Sequence, residues 1–264
     1  MSINKRENIL EEYYLEMEYK NEKRMIRVIL PNSYYQNKSR KYPVVYFHDG
    51  QNIFFDKESY SGTSWGLIET IRDNKDLEEF IGVAIDNSPA KMAEYSPWSL
   101  DHSLAGIKIE KPEGEAYAEF IVNTLKPFID EKYRTKKSKK FTSMIGSSAG
   151  ANITAFMGNK YQGKIGNLGI FSLASFAFKE EFENYIKDTR IKANQKIYIK
   201  VGTEESEERN ISQAYIDSSV KYYKLLLKAG IPIENIKLKI ISGDTHSEGD
   251  WAKYLLECLE FVLQ

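Results

Sequence analysis

The pentapeptide Gly-Ser-Ser-Ala-Gly at 146–150 is the part of the sequence whose residue types and spacing most directly indicate chemistry. It follows the apolar run 141–145 and precedes a stretch compatible with a helix, so it predicts a sharp strand-to-helix turn with Ser148 at its apex. Such a turn strains the serine backbone and holds the hydroxyl clear of the sheet, beside the free N–H groups of the next helix. The motif therefore predicts a serine nucleophile at Ser148; the alternative is a tight glycine turn in which the serines are incidental.

A serine nucleophile needs a general base, and the sequence contains three histidines. His246 lies just after the last apolar run and before the C-terminal helical pattern, a position from which it can reach the turn. His48 also ends an apolar run but precedes the nucleophile in the chain, and His102 lies in a polar loop typical of the surface. We therefore predict that His246 is the base, against the alternative that it is an ordinary surface histidine.

The third group should be a carboxylate that fixes the imidazole tautomer and stabilises the imidazolium. The apolar run 196–201 ends in Gly-Thr-Glu-Glu, which places Glu204 and Glu205 between the serine and the histidine in the chain. Consecutive side chains of an extended segment point in opposite directions, so only one of the two can face the histidine, and the strand geometry does not choose between them. Asp244 is interpreted as a turn residue, because it is too close to the histidine along the chain to be preferred.

An oxyanion formed on the substrate would need two backbone N–H donors. One is expected from Ala149, the residue after the nucleophile. The other should come from the loop after an early central strand, where His-Asp-Gly-Gln-Asn follows the run 42–47. Gly50 lets the backbone turn toward the site, and Gln51 is the predicted second donor.

The elements that must position these residues alternate between strands and helices. Five apolar runs predict strands at 42–47, 80–85, 141–145, 196–201 and 236–241, the last nearer an edge of the sheet. Amphipathic patterns predict helices at 115–133, 211–229 and 251–262, the first with a kink at Pro127. The segments 12–19 and 24–30 predict an N-terminal antiparallel hairpin. The alternation predicts an α/β protein with a mostly parallel central sheet flanked by helices, and with its site at the carboxyl ends of the strands.

Composition excludes several classes of protein. The 264 residues carry 37 Lys and Arg against 38 Asp and Glu, so no positive excess exists to displace counterions from nucleic acid. The single cysteine, Cys258, excludes an internal disulfide framework and a cysteine-rich metal site. The N-terminus lacks an apolar signal segment, and no run reaches the ~18 apolar residues of a membrane span. We therefore expect a soluble, cytoplasmic protein with one domain over residues 1–264, and the oligomeric state, a homo-oligomer included, stays open.

The residues that carry this chemistry resemble the Putative esterase family of α/β-hydrolases, which includes enterochelin, feruloyl and acetyl-xylan esterases, S-formylglutathione hydrolase and mycolyltransferases. The matching segments follow in order over nearly the whole chain: YPVVYFHDGQNIF at 42–54, GVAIDNSPAKMAEYSPW at 82–98, FIVNTLKPFIDEKYRT at 120–135, FTSMIGSSAGANITAFMG at 141–158, SLASF at 172–176, VGTEE at 201–205 and GDTHSEGDW at 243–251. The resemblance implies an α/β-hydrolase fold and a serine carboxylesterase that uses no metal or other cofactor and acts on a small-molecule ester. It implies Ser148 as nucleophile and His246 as base, and the family's Gly-Thr-x-Glu pattern selects Glu205 over Glu204.

Two departures from the family pattern bear on substrate specificity. The usual Ser-Met-Gly-Gly is Ser-Ala-Gly-Ala at 148–151, which changes the bulk beside the oxyanion donors but keeps their backbone N–H groups. The usual arginine before Glu-Tyr-x-Pro is replaced by Lys-Met-Ala at 91–93, so specificity for an anionic, siderophore-like substrate is not expected. Tyr95, Trp98 and Phe176 are then candidates for an aromatic wall of the acyl pocket, with packing in the core as an equal alternative for each.

Three functions are compatible with the sequence. Ester hydrolysis through an acyl-enzyme is preferred. Acyl transfer to an alcohol other than water would use the same intermediate and differ only in the acceptor. A binding protein that has kept the fold and lost the chemistry is the third, and the presence of Ser148, Glu205 and His246 argues against it.

Overall fold

An eight-stranded mixed sheet forms the centre of the molecule, whose computed structural model describes residues 10–100, 108–189, 191 and 194–264. The strands are β1 (Leu10–Met17), β2 (Glu22–Ile29), β3 (Val44–His48), β4 (Ile81–Ile85), β5 (Thr142–Ser147), β6 (Asn167–Phe171), β7 (Lys196–Glu204) and β8 (Ile236–Thr245). They lie in the order β1-β2-β4-β3-β5-β6-β7-β8. β1 and β2 form an antiparallel hairpin, β2 pairs antiparallel with β4, and the remaining pairs are parallel. The predicted hairpin, parallel sheet and edge position of the last strand are confirmed.

Helices cover both faces of this sheet. They are α1 (Leu67–Asp73), α2 (Lys91–Glu94), α3 (Gly114–Phe120), α4 (Lys126–Lys132), α5 (Ala149–Lys160), α6 (Lys179–Asp188), α7 (Arg209–Lys228), α8 (Glu248–Ala252) and α9 (Leu255–Leu263). Alternate residues of β3 show the two layers: Val44 and Tyr46 belong to the core under α3, α5, α6 and α7, whereas Val45 and Phe47 belong to the core under α1 and α9. Burial on both faces explains why the central strands are continuous apolar runs. No helix in the described parts of the chain is long and apolar enough to cross a membrane.

Several boundaries differ from the sequence-based expectation for local physical reasons. The predicted helix 115–133 is interrupted by a π-helical segment at Ile121–Leu125, just before Pro127, whose ring nitrogen has no proton to donate to the preceding turn. The predicted C-terminal helix is two helices, α8 and α9, and the hairpin strands begin two residues earlier than expected. β6 was not predicted, because Asn167 and Gly169 break its short apolar pattern.

Candidate active site

The turn between β5 and α5 has the strained geometry that the motif predicts. Ser148 has φ 57° and ψ −123°, a conformation with positive φ that L-residues adopt rarely, and its N–H donates to the carbonyl of Phe171 at 2.9 Å. The glycines are required by close approach: a Cβ on Gly146 would lie 2.4 Å from the carbonyl oxygen of Gly150. The serine is therefore held at the tip of the turn by its neighbours on both sides.

The buried carboxylate of Glu205 lies just beyond the end of β7. One of its oxygens, Oε1, accepts hydrogen bonds from the Gly202 N–H at 2.7 Å and from the Ser172 hydroxyl at 2.6 Å. The Ser172 hydroxyl in turn accepts from the Trp251 indole N–H at 2.9 Å. The other oxygen, Oε2, lies 2.7 Å from Nδ1 of His246. These bonds fix the carboxylate and direct one oxygen at the imidazole.

His246 follows β8 and lies between two aromatic rings. Its ring centroid is 5.0 Å from that of Tyr215 and 4.9 Å from that of Trp251. Because Glu205 occupies the Nδ1 side, Nε2 is the ring nitrogen left for proton exchange. Within the part of the chain that the structure describes, no hydrogen bond joins Ser148 to His246, and the Tyr215 side chain also lies beside Ser148. The hydrogen bond between a nucleophile and its general base is often long in the absence of substrate.

A buried ion pair joins β7 to the end of β8, close to the histidine that follows β8. The Lys200 ammonium lies 2.9 Å from a carboxylate oxygen of Asp244, and both side chains are almost completely buried. A Cβ on Gly202 would lie 2.1 Å from the Asp244 carbonyl oxygen, so the ends of β7 and β8 are in direct contact. The interpretation of Asp244 as a turn residue is therefore wrong: it lies within β8, directly after Gly243 with its φ of 81°, and its side chain forms an ion pair with the lysine of the neighbouring strand.

The loop after β3 lies against the start of α5 on the other side of the serine. Gln51 is in the 3-10 turn Gly50–Asn52, and its side-chain oxygen accepts from the Asn87 N–H at 3.0 Å. A Cβ on Gly50 would lie 2.5 Å from a carboxylate oxygen of Asp86, which explains the glycine. A Cβ on Gly150 would lie 3.2 Å from an oxygen of Asp49, so this loop reaches the first turn of α5, where Ala149 is the first residue.

His48, the last residue of β3, lies directly before this loop and packs against the Tyr95 ring. It is buried, its Nδ1 lies 3.0 Å from the Tyr117 hydroxyl, and burial lowers its pKa to about 4. A neutral, enclosed imidazole serves as a structural contact, which agrees with the choice of His246 as the candidate base. The third histidine, His102, lies outside the described residues.

The three predicted pocket aromatics occupy different environments. Tyr95 is completely buried, and its hydroxyl accepts from the Asp49 N–H at 3.2 Å, so the expectation that it lines a substrate pocket is wrong and the core alternative holds. Trp98 packs edge-on against Tyr185 and Phe156 and is only partly exposed. Phe176 is half-buried and packs edge-on against Tyr215 at 4.9 Å, so it adjoins the site.

A cavity of about 410 Å³ begins at Phe176 and extends between α6 and α7. Its lining includes Phe182, Tyr222, Lys179 and Lys221. Among the described side chains, no group of three or more His, Cys, Asp or Glu is arranged to hold a metal ion.

Three residues of this arrangement were not predicted from the sequence. Ser172 and Trp251 connect to Glu205, and Tyr215 contacts both Ser148 and His246. The first two lie in segments that match the family pattern. Tyr215 gave no such signal, because an aromatic residue in an amphipathic helix is indistinguishable from an ordinary core residue by its spacing.

Comparison with known proteins identifies the family and the fold of the chain. The sequence matches the profile of a family described as Putative esterase over residues 18–261. The uncharacterized protein YbbA of Bacillus subtilis (strain 168) is 24% identical over 246 residues, which span 93% of this chain and 94% of YbbA. A ferulic acid esterase has a similar structure, with a TM-score of 0.72 and 18% identity over 98% of this chain and 99% of its own. An IroE-like serine hydrolase from Shewanella oneidensis has a TM-score of 0.74 and 18% identity over 97% of this chain and 80% of its own. At this identity the structural likeness shows the fold alone, and it confirms the α/β-hydrolase architecture.

Proposed function

Because the chain belongs to the Putative esterase family and is thus a hydrolase that acts on ester bonds, we propose that it cleaves carboxylic esters through an acyl-enzyme formed on Ser148. The observation that carries the proposal is the buried Glu205 carboxylate 2.7 Å from Nδ1 of His246, at the same sheet edge as the strained serine turn. A carboxylate in this place holds the imidazole with Nε2 available and stabilises the imidazolium that forms during attack.

Acylation and deacylation use the same groups in turn. Ser148 Oγ attacks the ester carbonyl carbon while His246 takes its proton, and the imidazolium then protonates the departing alcohol oxygen. A water molecule attacks the acyl-enzyme by the same route in reverse, which returns the serine. Glu205 remains ionised and keeps the imidazole in position throughout.

The negative charge that develops on the carbonyl oxygen is assigned to two backbone donors. Ala149 is the first residue of α5, so its N–H lies at the positive end of a 12-residue helix. Gln51 contributes the second N–H from the loop after β3, which the Asp49 contact brings against the same helix end. Donors preorganised in this way stabilise the oxyanion more than the uncharged substrate.

The cavity beside Phe176 is assigned to the substrate. Its volume of about 410 Å³ is within the usual range of small-molecule pockets. Aromatic walls at Phe176, Phe182 and Tyr222 favour an apolar part of the ester. The substrate that we propose is a small carboxylic ester with an apolar part.

The first prediction tests the nucleophile with a matched pair of serines. Ser148→Ala should lower kcat on p-nitrophenyl esters by a factor on the order of 10⁴ or more, because no other group can form the acyl-enzyme. Ser147→Ala, at the buried end of β5, should keep most of the activity. Initial rates over a series of acyl chain lengths, with methyl ferulate and acetylated sugars alongside, measure both effects. Retention of more than a few per cent of the activity by Ser148→Ala would refute the assignment.

A further inference from the structure

Tyr215 lies where no family motif predicted a functional residue. It is the seventh residue of α7, half-buried, and its ring packs edge-on against Phe176 and lies 5.0 Å from the His246 ring. Its side chain also lies beside Ser148. One side chain therefore touches both the proposed nucleophile and the proposed base.

The order of strands places Tyr215 on one side of the serine. Ser148 follows β5, the oxyanion loop follows β3 on one side of it, and Glu205 and His246 follow β7 and β8 on the other. α7 lies between β7 and β8 in the chain, so Tyr215 reaches the serine from the histidine side, opposite the loop of Gln51. In acyl transfer the leaving alcohol departs toward the histidine that protonates it.

The geometry points to Tyr215 as a further catalytic residue, whose hydroxyl holds Ser148 in the free enzyme and donates a hydrogen bond to the leaving alcohol oxygen during acylation. This inference rests on the proposed function. Burial raises the pKa of Tyr215 to about 12, against a smaller opposing effect of the Ser148 contact, so the hydroxyl keeps its proton at neutral pH and can act as a donor.

The proposed step balances without any further reactant. The bond from Ser148 Oγ to the acyl carbon forms, and the serine proton passes to Nε2 of His246. The bond from the acyl carbon to the alcohol oxygen then breaks, and the proton on Nε2 passes to that oxygen. Tyr215 lends a hydrogen bond to the oxygen as negative charge builds on it and transfers no proton.

The test compares two esters with the same acyl group and different leaving groups. For Tyr215→Phe, kcat/KM on ethyl butyrate should fall about 10- to 100-fold, the range expected for a hydrogen bond to a charged oxygen. On p-nitrophenyl butyrate it should fall less than about threefold, because the nitrophenolate is a stable anion that needs little assistance. kcat/KM is the right quantity because it reports acylation and is independent of deacylation. Tyr223→Phe, on the same helix and packed against the core, is the control and should match the wild type on both esters.

Other results of this comparison would contradict either the role of Tyr215 or the proposed function. An equal loss on both esters would overturn the leaving-group contact and leave Tyr215 as a residue that only orients Ser148. Unchanged rates on both esters would overturn any catalytic part for Tyr215. If the wild-type enzyme hydrolyses neither ester, or if Ser148→Ala is as active as the wild type, the proposed function fails and not the assignment of Tyr215.

Discussion

At the scale of single residues, the two glutamates after Gly202 have opposite environments although they are neighbours in the chain. Glu204 is exposed, whereas Glu205 is buried and its two oxygens are occupied by Gly202, Ser172 and His246. The alternation of an extended chain predicts that only one of them faces the histidine. Family resemblance selected Glu205, and the contacts now give a physical reason for that choice.

This contrast gives a prediction with its control one residue away. Glu205→Gln should keep the fold but remove the charge that stabilises the imidazolium, so kcat should fall about 10²–10⁴-fold. Glu204→Gln should change kcat less than about twofold, since a surface substitution away from special contacts has little effect. The measurement is kcat of both purified variants with matched circular dichroism spectra. A greater loss in Glu204→Gln would show that the acid is assigned to the wrong residue.

Residues differ in how far the sequence reveals them. Ser148 and His246 could be proposed from the sequence because a glycine-flanked turn and chain order constrain them. Glu205 needed the family pattern in addition. The proposed role of Tyr215 could not be predicted, because it depends on which side of α7 faces the serine. Packing of Tyr215 against Phe176 determines that orientation.

At the scale of elements, the end of β3 shows how a buried histidine stabilises a loop. The His48 imidazole forms a hydrogen bond with the Tyr117 hydroxyl and packs against the Tyr95 ring. The Tyr95 hydroxyl in turn accepts a hydrogen bond from the Asp49 N–H of the same loop. Protonation of this imidazole would place a charge in an apolar layer. The folded state therefore favours the neutral form of His48.

A pH dependence of stability arises from this arrangement. Burial lowers the His48 pKa from 6.5 to about 4, so the unfolded chain binds a proton below pH 6.5 that the folded chain excludes down to pH 4. The contribution is fully present above pH 6.5 and is lost as the pH falls toward 4, by on the order of 3 kcal/mol. Denaturant unfolding at several pH values should give a steeper loss for the wild type than for His48→Gln. Equal slopes would contradict the neutral, buried state.

The elements were predictable where one physical signal dominated. Central strands covered on both faces appear as unbroken apolar runs, and the hairpin shows the alternation of a half-exposed ribbon. β6 was not predicted because it contains a buried polar residue, Asn167. The Asn167 side chain donates a hydrogen bond to the Lys140 carbonyl, a long-range contact that sequence spacing does not show. The break at Ile121–Leu125 depends on how the helix accommodates Pro127, and the sequence predicted only that a kink would occur.

At the scale of the whole molecule, parallel strands bring distant segments to one edge. β3, β5, β7 and β8 contribute the proposed oxyanion loop, the serine, the glutamate and the histidine at their carboxyl ends. Because these strands are parallel, their carboxyl ends lie at the same edge of the sheet, where ligands generally bind in such folds. The composition of the site was therefore predictable from the residues at the carboxyl end of each strand, whereas the cavity between α6 and α7 depends on helix packing and was not.

The most direct test of the account is the site at which a serine-directed fluorophosphonate bonds to the intact protein. The reagent is attacked as an ester is, and the product does not turn over. Mass spectrometry of the whole chain should show one phosphonyl group, and peptide mapping should place it on Ser148, with no adduct in Ser148→Ala. A protein that hydrolyses esters yet carries the adduct on Ser147 or elsewhere, or carries none, would contradict the proposed acyl-enzyme on Ser148.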